Sequence, residues 1–264
     1  MKSINAIALS LQSGQSEVCS SSYDGVIVRW ILGVGYAGRV ERKDSTQIKC
    51  LATIEGELVT CGFDNKVRRV PLLSEQCKES EPIDIGAQPK DLEVAVGCPE
   101  LTFVSTDAGI IMIRGSKIVS ITNVGYAVTA AAISPDGTEA VVGGQDGKSR
   151  VYSIKGATLL EESVLEKHRG PINAIRFSPD GSMFASGDLN REAVVWDRIT
   201  REVKLKNMVY HTARINCIAW SPDSSKVATG SLDTCVLIYE CFCMSSNVFV
   251  TCCLEPPRIY HIIL

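Results

Sequence analysis

The chain is poor in the residues that most enzymes work with. It has three histidines, His168, His211 and His261, in 264 residues, which is little material for general base catalysis. Neither G-x-S-x-G nor H-E-x-x-H occurs, so the exposed serine elbow of hydrolases and the zinc-peptidase helix are both absent. There is no N-x-[ST] site for glycosylation. No apolar run reaches the length of a bilayer span; the stretch of residues 240–257, which has neither Lys nor Arg, is too short and too polar. Met1-Lys2 leads into Ile4, Ile7 and Leu9 alternating with small residues rather than into an apolar block, so a chain without a secretory leader is expected. The net charge of −3 lacks the positive excess that nucleic acid or an acidic membrane surface demands. Partners of those two kinds are not expected, nor is a small-molecule substrate or a cofactor.

What remains is a composition of 45% apolar and 22% charged residues, typical of a globular chain. Eleven cysteines is a high and odd count. Those such as Cys50, Cys217 and Cys235 stand inside apolar strand-like runs, where a reduced thiol packs as a small hydrophobe. A reducing compartment, cytosol or nucleus, without a disulfide framework is expected. Cys241, Cys243, Cys252 and Cys253 fall within 13 residues, but as C-x-C and C-C pairs without C-x2-C geometry. No metal is expected there.

The strongest signal is repetition. "HRGPINAIRFSPDGSMFASGDLNREAVVWD" (168–197) is nearly rewritten as "HTARINCIAWSPDSSKVATGSLDTCVLIYE" (211–240). Aligning the acidic or amide residue of each Gly-rich turn gives Asp24, Asp64, Asp107, Asp146, Asn190 and Asp233, at intervals of 40, 43, 39, 44 and 43 residues. Six residues after each stands Trp30, Val70, Ile113, Tyr152, Trp196 or Tyr239, closing a β-rich run. Pro-turn signals recur at Pro135-Asp136-Gly137, Pro179-Asp180-Gly181 and Pro222-Asp223-Ser224. Each unit reads as strand, turn, strand, tight turn, strand and a looser fourth strand, with no helical period. Six such units are the sequence form of a β-propeller.

In the two clearest units a histidine stands 22 residues before the turn residue and 28 before the aromatic: His168, Asn190, Trp196 and His211, Asp233, Tyr239. This resembles the WD40 repeat, whose dipeptide stands here as Trp196-Asp197. The resemblance implies a hydrogen-bonded chain of His, turn Asp, strand hydroxyl (Ser186 or Thr229) and Trp within a blade. His168, Ser186, Trp196, Asp197, His211, Thr229, Asp233 and Tyr239, with Asp24, Trp30, Asp146 and Tyr152, are therefore expected to be structural. Asn190 in place of an aspartate predicts a weaker or uncharged chain in unit five. Units two and three, which lack Trp and His, are expected to rest on apolar packing alone and to be less rigid.

Two nucleotide-like motifs fail on context. "GVGYAG" gives Gly33, Gly35 and Gly38 in G-x-G-x-x-G spacing after a strand, but "RVERKDSTQIKC" follows without the amphipathic helix a pyrophosphate needs. Gly147-Lys148-Ser149 looks like the end of a phosphate loop, but the first glycine of that loop would fall on Val142, and Asp146-Gly147 is a hairpin signal.

Longer runs carry a more specific resemblance: "SSYDGVIVRWILGVGY" (21–36), "ISPDGTEAVVGGQDGK" (133–148), "EESVLEKHRG" (161–170), "FASGDLNREAVVWDR" (184–198), "YHTARINCIAWSPD" (210–223) and "ATGSLDTCVLIYE" (228–240). Together they resemble the C-terminal propeller of the plant actin-interacting protein 1 family over residues 1–240. That resemblance implies a cytoplasmic, cytoskeleton-associated, non-catalytic protein that binds actin filaments decorated with cofilin (actin-depolymerising factor) and promotes their disassembly. The expected fold is all-β: a WD40 β-propeller of about six four-stranded blades, an incomplete seven-bladed ring from a truncated form. Residues 241–264 are expected to form a non-repeat tail in which "SSNVFVTC" adds one outer strand and the rest is disordered. The alternative is a generic WD40 scaffold, such as a ubiquitin-ligase substrate receptor. Partner contacts are expected on exposed charged and aromatic turn residues carried by a rigid scaffold: Tyr23, Phe63, Asn65, Lys148, Arg169, Asn190, Arg191 and Arg214.

Overall fold

The computed structural model describes residues 4–12, 15–40, 46–54, 56–72, 79–107, 109–241 and 248–253. They hold strands and no helix, in six antiparallel sheets of four strands each, the blades of a β-propeller. Within every blade spatial order follows sequence order, as short turns between neighbouring strands require. Contacts group the chain into two compact units, Met1–Val124 and Gly125–Leu264, of three blades each.

In the first unit, blade 1 is β1 (Ile4–Gln12), β2 (Gln15–Ser22), β3 (Ile27–Ile31) and β4 (Gly35–Arg39). Blade 2 is β5 (Ile48–Ile54), β6 (Glu57–Gly62), β7 (Lys66–Pro71) and β8 (Ile83–Asp84), and blade 3 is β9 (Pro89–Ala95), β10 (Cys98–Thr106), β11 (Gly109–Arg114) and β12 (Lys117–Thr122). In the second unit, blade 4 is β13 (Val128–Ile133), β14 (Glu139–Gly144), β15 (Lys148–Lys155) and β16 (Thr158–Glu166). Blade 5 is β17 (Ile172–Phe177), β18 (Met183–Asp188), β19 (Ala193–Asp197) and β20 (Val203–Met208). Blade 6 is β21 (Ile215–Trp220), β22 (Lys226–Ser231), β23 (Cys235–Glu240) and β24 (Val248–Cys253), the last paired with β23.

The apolar cores lie between successive blades. Cys19 and Ile27 of blade 1 pack with Leu58 and Val70 of blade 2; Val59 and Val67 of blade 2 pack with Leu92, Val104 and Ile111 of blade 3. In the second unit, Val141 and Val151 meet Ile172, Ile175 and Trp196, and Val195 and Met183 meet Ile218, Val227 and Leu237. A middle blade is covered on both faces, so β18 is buried at all six positions rather than at every second one.

Two local devices recur. A β-bulge one residue into the first strand shifts the register in every blade, between Ile4/Ala6, Ile48/Cys50, Pro89/Asp91, Val128/Ala130, Ile172/Ala174 and Ile215/Cys217. It bends the strand where it enters the blade and strengthens the local twist. Close approach between blades then relies on glycine in the second strand: a Cβ on Gly143 or Gly187 would stand 2.7 Å from Cγ2 of Ile172 or Ile215, respectively. Larger residues there would force the next blade away.

The glycines of "GVGYAG" form the β3–β4 hairpin and its fourth strand, and Gly147, at φ +78°, lies in the β14–β15 turn. Strands flank both motifs, so neither presents a helix N-terminus to a phosphate.

Candidate interaction face

An antiparallel meander puts its second-to-third-strand turn at the end where its first strand begins, beside the connection from the preceding blade. All eight turn residues singled out in the sequence lie at that end of their own blades. Tyr23 is 57% and Phe63 48% exposed. Arg169, Asn190, Arg191 and Arg214 are exposed, and Asn65 and Lys148 are half-buried. Lys148 Nζ bonds Glu166 at 2.5 Å. Lys49 Nζ stands 5.4 Å from the Phe63 ring centroid, and Gln88 Nε2 donates to the Phe63 carbonyl at 3.0 Å and to the Asn65 side chain. Asn65, Gly86, Ala87, Gln88 and Asp107 line a shallow open notch beside that turn.

The structure adds residues that the sequence reading missed. The position just before the turn acid or amide carries Tyr23, Phe63, Leu189 and Leu232, all large and exposed, the last two at 37% and 58%. Their exposure is built in. The amides of Phe63, Leu189 and Leu232 donate to the carbonyls of Gln47, Pro171 and Arg214 in the incoming connections. That pins the backbone and turns the side chain outward. Val209 and Tyr210, before His211, are also exposed at this end of blade 6. The signal available in the sequence was a large apolar residue preceding the turn residue in four of six units.

Beneath the turns of blades 5 and 6 lies a polar chain built on a histidine. In blade 6 His211 Nδ1 meets Asp233 Oδ2 at 2.9 Å and Nε2 meets Thr229 Oγ1 at 2.8 Å. The Thr212 and Cys235 amides also donate to Asp233. Burial pushes this carboxyl up, but those amides and His211 outweigh it and hold it at about 2. In blade 5 His168 Nε2 lies 2.6 Å from Ser186 Oγ, to which Trp196 Nε1–H donates at 2.8 Å.

Of the weaker or uncharged chain expected in blade 5, the uncharged alternative is corrected: a carboxylate is present, though at 3.3 Å it stands farther from its histidine than the 2.9 Å of blade 6. Asp188, 0% exposed, sets Oδ2 3.3 Å from His168 Nδ1, while Asn190 points outward into the exposed turn. Asp188 Oδ1 accepts the Glu192 amide at 2.8 Å. The carboxylate that faces the histidine and closes the turn has moved two residues upstream. His168, Asp188 and Glu192 do bring three donor atoms within 4.8 Å of one another; His168 Nε2 and Asp188 Oδ1 are hydrogen-bonded to Ser186 and to the Glu192 amide, and Nδ1 and Oδ2 are set against each other. Of the four clustered cysteines, Cys243 lies outside the described residues.

Blade 2 likewise does not rest on apolar packing alone. Arg68, 3% exposed, bonds Asp64 through Nη2 at 2.6 Å and approaches Glu79 through Nε at 3.6 Å. Blade 4 repeats the device: Arg150 grips Asp146 with both Nη atoms, at 3.2 and 2.6 Å, and its Cζ stands 3.8 Å from the Tyr126 ring centroid. Tyr126 and Tyr152 share a hydroxyl hydrogen bond of 2.8 Å, and Tyr152 donates to Glu161. Burial pushes the Tyr152 phenol up to about 12. In blades 2 and 4, which have no histidine there, an arginine four residues after the turn aspartate supplies the cation. In blade 1 Asp24 accepts from Ser22 and from the Val26 amide. Trp30 Nε1–H donates to Ser20, although the ring stays 39% exposed against Tyr36.

At the opposite end of the blades, Asp197 Oδ1 accepts the amides of Ile199 and Thr200 and closes the β19–β20 turn. The next residue, Arg198, reaches Asp136 at 3.0 Å and Glu139 at 2.8 Å, tying blade 5 to blade 4. The charge of Arg198, Asp136 and Glu139 is thus already paired between blades 4 and 5.

The family model "WD domain, G-beta repeat" matches residues 117–153, 161–197 and 203–240. Each match begins at or within the outer strand of one blade and runs through the first three strands of the next. Actin-interacting protein 1-2 of Arabidopsis thaliana is 57% identical over 240 residues, covering 91% of this chain and 39% of that protein. The 66 kDa stress protein of Physarum polycephalum is 36% identical, covering 78% of this chain and 34% of that protein. WD repeat-containing protein 1 of Gallus gallus is 32% identical, covering 74% and 32%. The chain thus spans between 32% and 39% of the length of these relatives.

Proposed function

We propose that this chain of WD40 repeats is a non-catalytic interaction module that binds actin filaments decorated with cofilin (actin-depolymerising factor) and assists their disassembly in the cytoplasm. The observation that carries the reading is the 57% identity across 91% of the chain to a protein named for interaction with actin. The chemistry is compatible with it. The histidines of blades 5 and 6 are bound into blade interiors, while the turns above them expose apolar and cationic side chains on pinned backbone. Such a face suits an extended protein surface, where a few anchored large side chains supply most of the binding energy.

The eight turn residues, joined by Leu189 and Leu232, are the contact candidates; His168, Ser186, Trp196, His211, Thr229 and Asp233 maintain the shape that presents them. Co-sedimentation tests the function. The folded chain is expected to pellet with decorated filaments and to raise the actin left in the supernatant. A folded chain that stays in solution and leaves the pelleted actin unchanged would refute the proposal.

A further inference from the structure

Seven cysteines among the described residues are present as thiols, and two of them face each other. Cys50 on β5 and Cys61 on β6 are directly opposed across the antiparallel pair, so their side chains leave on one face of the sheet. Opposed residues hold their Cα atoms about 4.5–5.5 Å apart, inside the roughly 4.4–6.8 Å that a disulfide bridges. Cys50 packs against the apolar cluster that holds Cys61. At the corresponding place, just after the bulge, other blades carry Ala6/Ser21, Ala130/Gly143, Ala174/Gly187 and Cys217/Gly230. The blade architecture therefore makes no demand for two sulfur atoms here.

Their surroundings differ in a useful way. Cys50 is half-buried, and its S–H donates to the Lys90 carbonyl of blade 3 at 3.4 Å. Cys61 is 1% exposed, and burial, then the contact with Cys50, pushes its thiol up. A small oxidant can reach the first sulfur but not the second. The shielded thiol waits directly across the strand pair, which is the arrangement of an attacking and a resolving cysteine. Both lie under the turn that presents Phe63.

We propose that Cys50 and Cys61 form a reversible, peroxide-responsive thiol pair. The Cys50 sulfur attacks the O–O bond of a hydroperoxide, takes one oxygen as a sulfenic acid and releases water or the corresponding alcohol. The Cys61 sulfur then attacks the Cys50 sulfur and expels hydroxide, which leaves as water with the Cys61 proton. Two thiols lose two electrons and two protons, the peroxide gains them, and one S–S bond joins β5 to β6. A dithiol reductant attacking the more accessible Cys50 sulfur restores both thiols. The transient disulfide is compatible with a reducing compartment.

The site is independent of the actin reading and is tested apart from it. Both cysteines fall in one tryptic peptide, residues 50–66. The full chain is treated with hydrogen peroxide, its remaining thiols are alkylated after denaturation, and the digest is read by mass spectrometry. The expected result is a 50–66 peptide that loses both labels together, is lighter by two hydrogens than its unlabelled form, and regains both labels after dithiothreitol. Cys98, half-buried and opposed to Ala95, should keep its label at that dose. In Cys61→Ser, Cys50 should stop at a sulfenic acid that dimedone captures, an adduct scarce in the unmodified sequence. The proposal is overturned if Cys50 oxidises in the unmodified chain without Cys61, if it pairs with another cysteine, or if both keep their labels at a peroxide dose that oxidises Cys98.

Discussion

Trp196→Ala is expected to cost about 3–5 kcal/mol of folding stability. The ring is 4% exposed, lies 6.1 Å from Phe184 in a stacked arrangement and packs among Val141, Val151, Ile172 and Phe177. Its removal opens a cavity between blades 4 and 5 that the surrounding strands, paired on both sides, cannot close. It also deprives Ser186 Oγ of a donor in a 0%-exposed site, leaving His168 as its partner. Trp196→Phe keeps most of the volume and loses the N–H, so it should cost about 1–2 kcal/mol. Equilibrium denaturation of both variants separates cavity from hydrogen bond. A loss below about 1 kcal/mol for Trp196→Ala would place the ring outside the blade core.

Arg68→Ala is expected to be of similar size, about 3–5 kcal/mol, for a different reason. The guanidinium stands between the carboxylates of Asp64 and Glu79, whose side chains are 14% and 4% exposed. Burial pushes Asp64 up, and Arg68, together with the Lys66 amide and the Thr46 hydroxyl, outweighs this and holds the carboxyl below its usual range. Without the arginine both acids lose their cation in a poorly solvated site. Pairing Arg68→Met with Asp64→Asn and Glu79→Gln should recover much of the loss, because the penalty comes from unpaired charge rather than from a missing attraction. If denaturation shows Arg68→Ala to be as harmless as a surface substitution, within about 0.5 kcal/mol, the buried cation is not what holds blade 2's turn.

The contrast between Trp196 and Arg68 marks what the sequence made legible. Trp196 announced itself: it ends a β-rich run, follows a histidine at a spacing repeated in the next unit, and precedes an aspartate. The six units, their four-strand order and the tight turns followed from such spacings. Arg68 and Arg150 were silent because a single arginine in a strand looks like a solvated charge. Their equivalents elsewhere are Val28, Ile111, Val194 and Leu237, of which all but the half-buried Val28 are buried. An arginine at an inward position after a turn aspartate was the available clue, and it emerges only when the units are superposed. The aspartate facing His168 was misplaced for a related reason. Spacing aligned Asn190 with Asp233, whereas the blade needs a carboxylate near the imidazole and accepts it from position 188, at the end of β18. On the candidate face, charge and aromaticity picked out Tyr23 and Phe63 but passed over Leu189 and Leu232, because an isolated leucine reads as core until the pinned turn shows it outward.

The central claim is that the blades are shape-keeping sheets whose partner meets the second-to-third-strand turns. Hydrogen exchange of the folded chain with and without cofilin-decorated filaments tests it most directly. The claim predicts added protection at residues 23–26, 63–65, 189–191 and 232–234 and in the adjoining blade connections, with the opposite-end turns near Asp136, Asp180 and Asp223 unchanged. Protection confined to those opposite-end turns, or none at filament concentrations well above the chain's own, would contradict it.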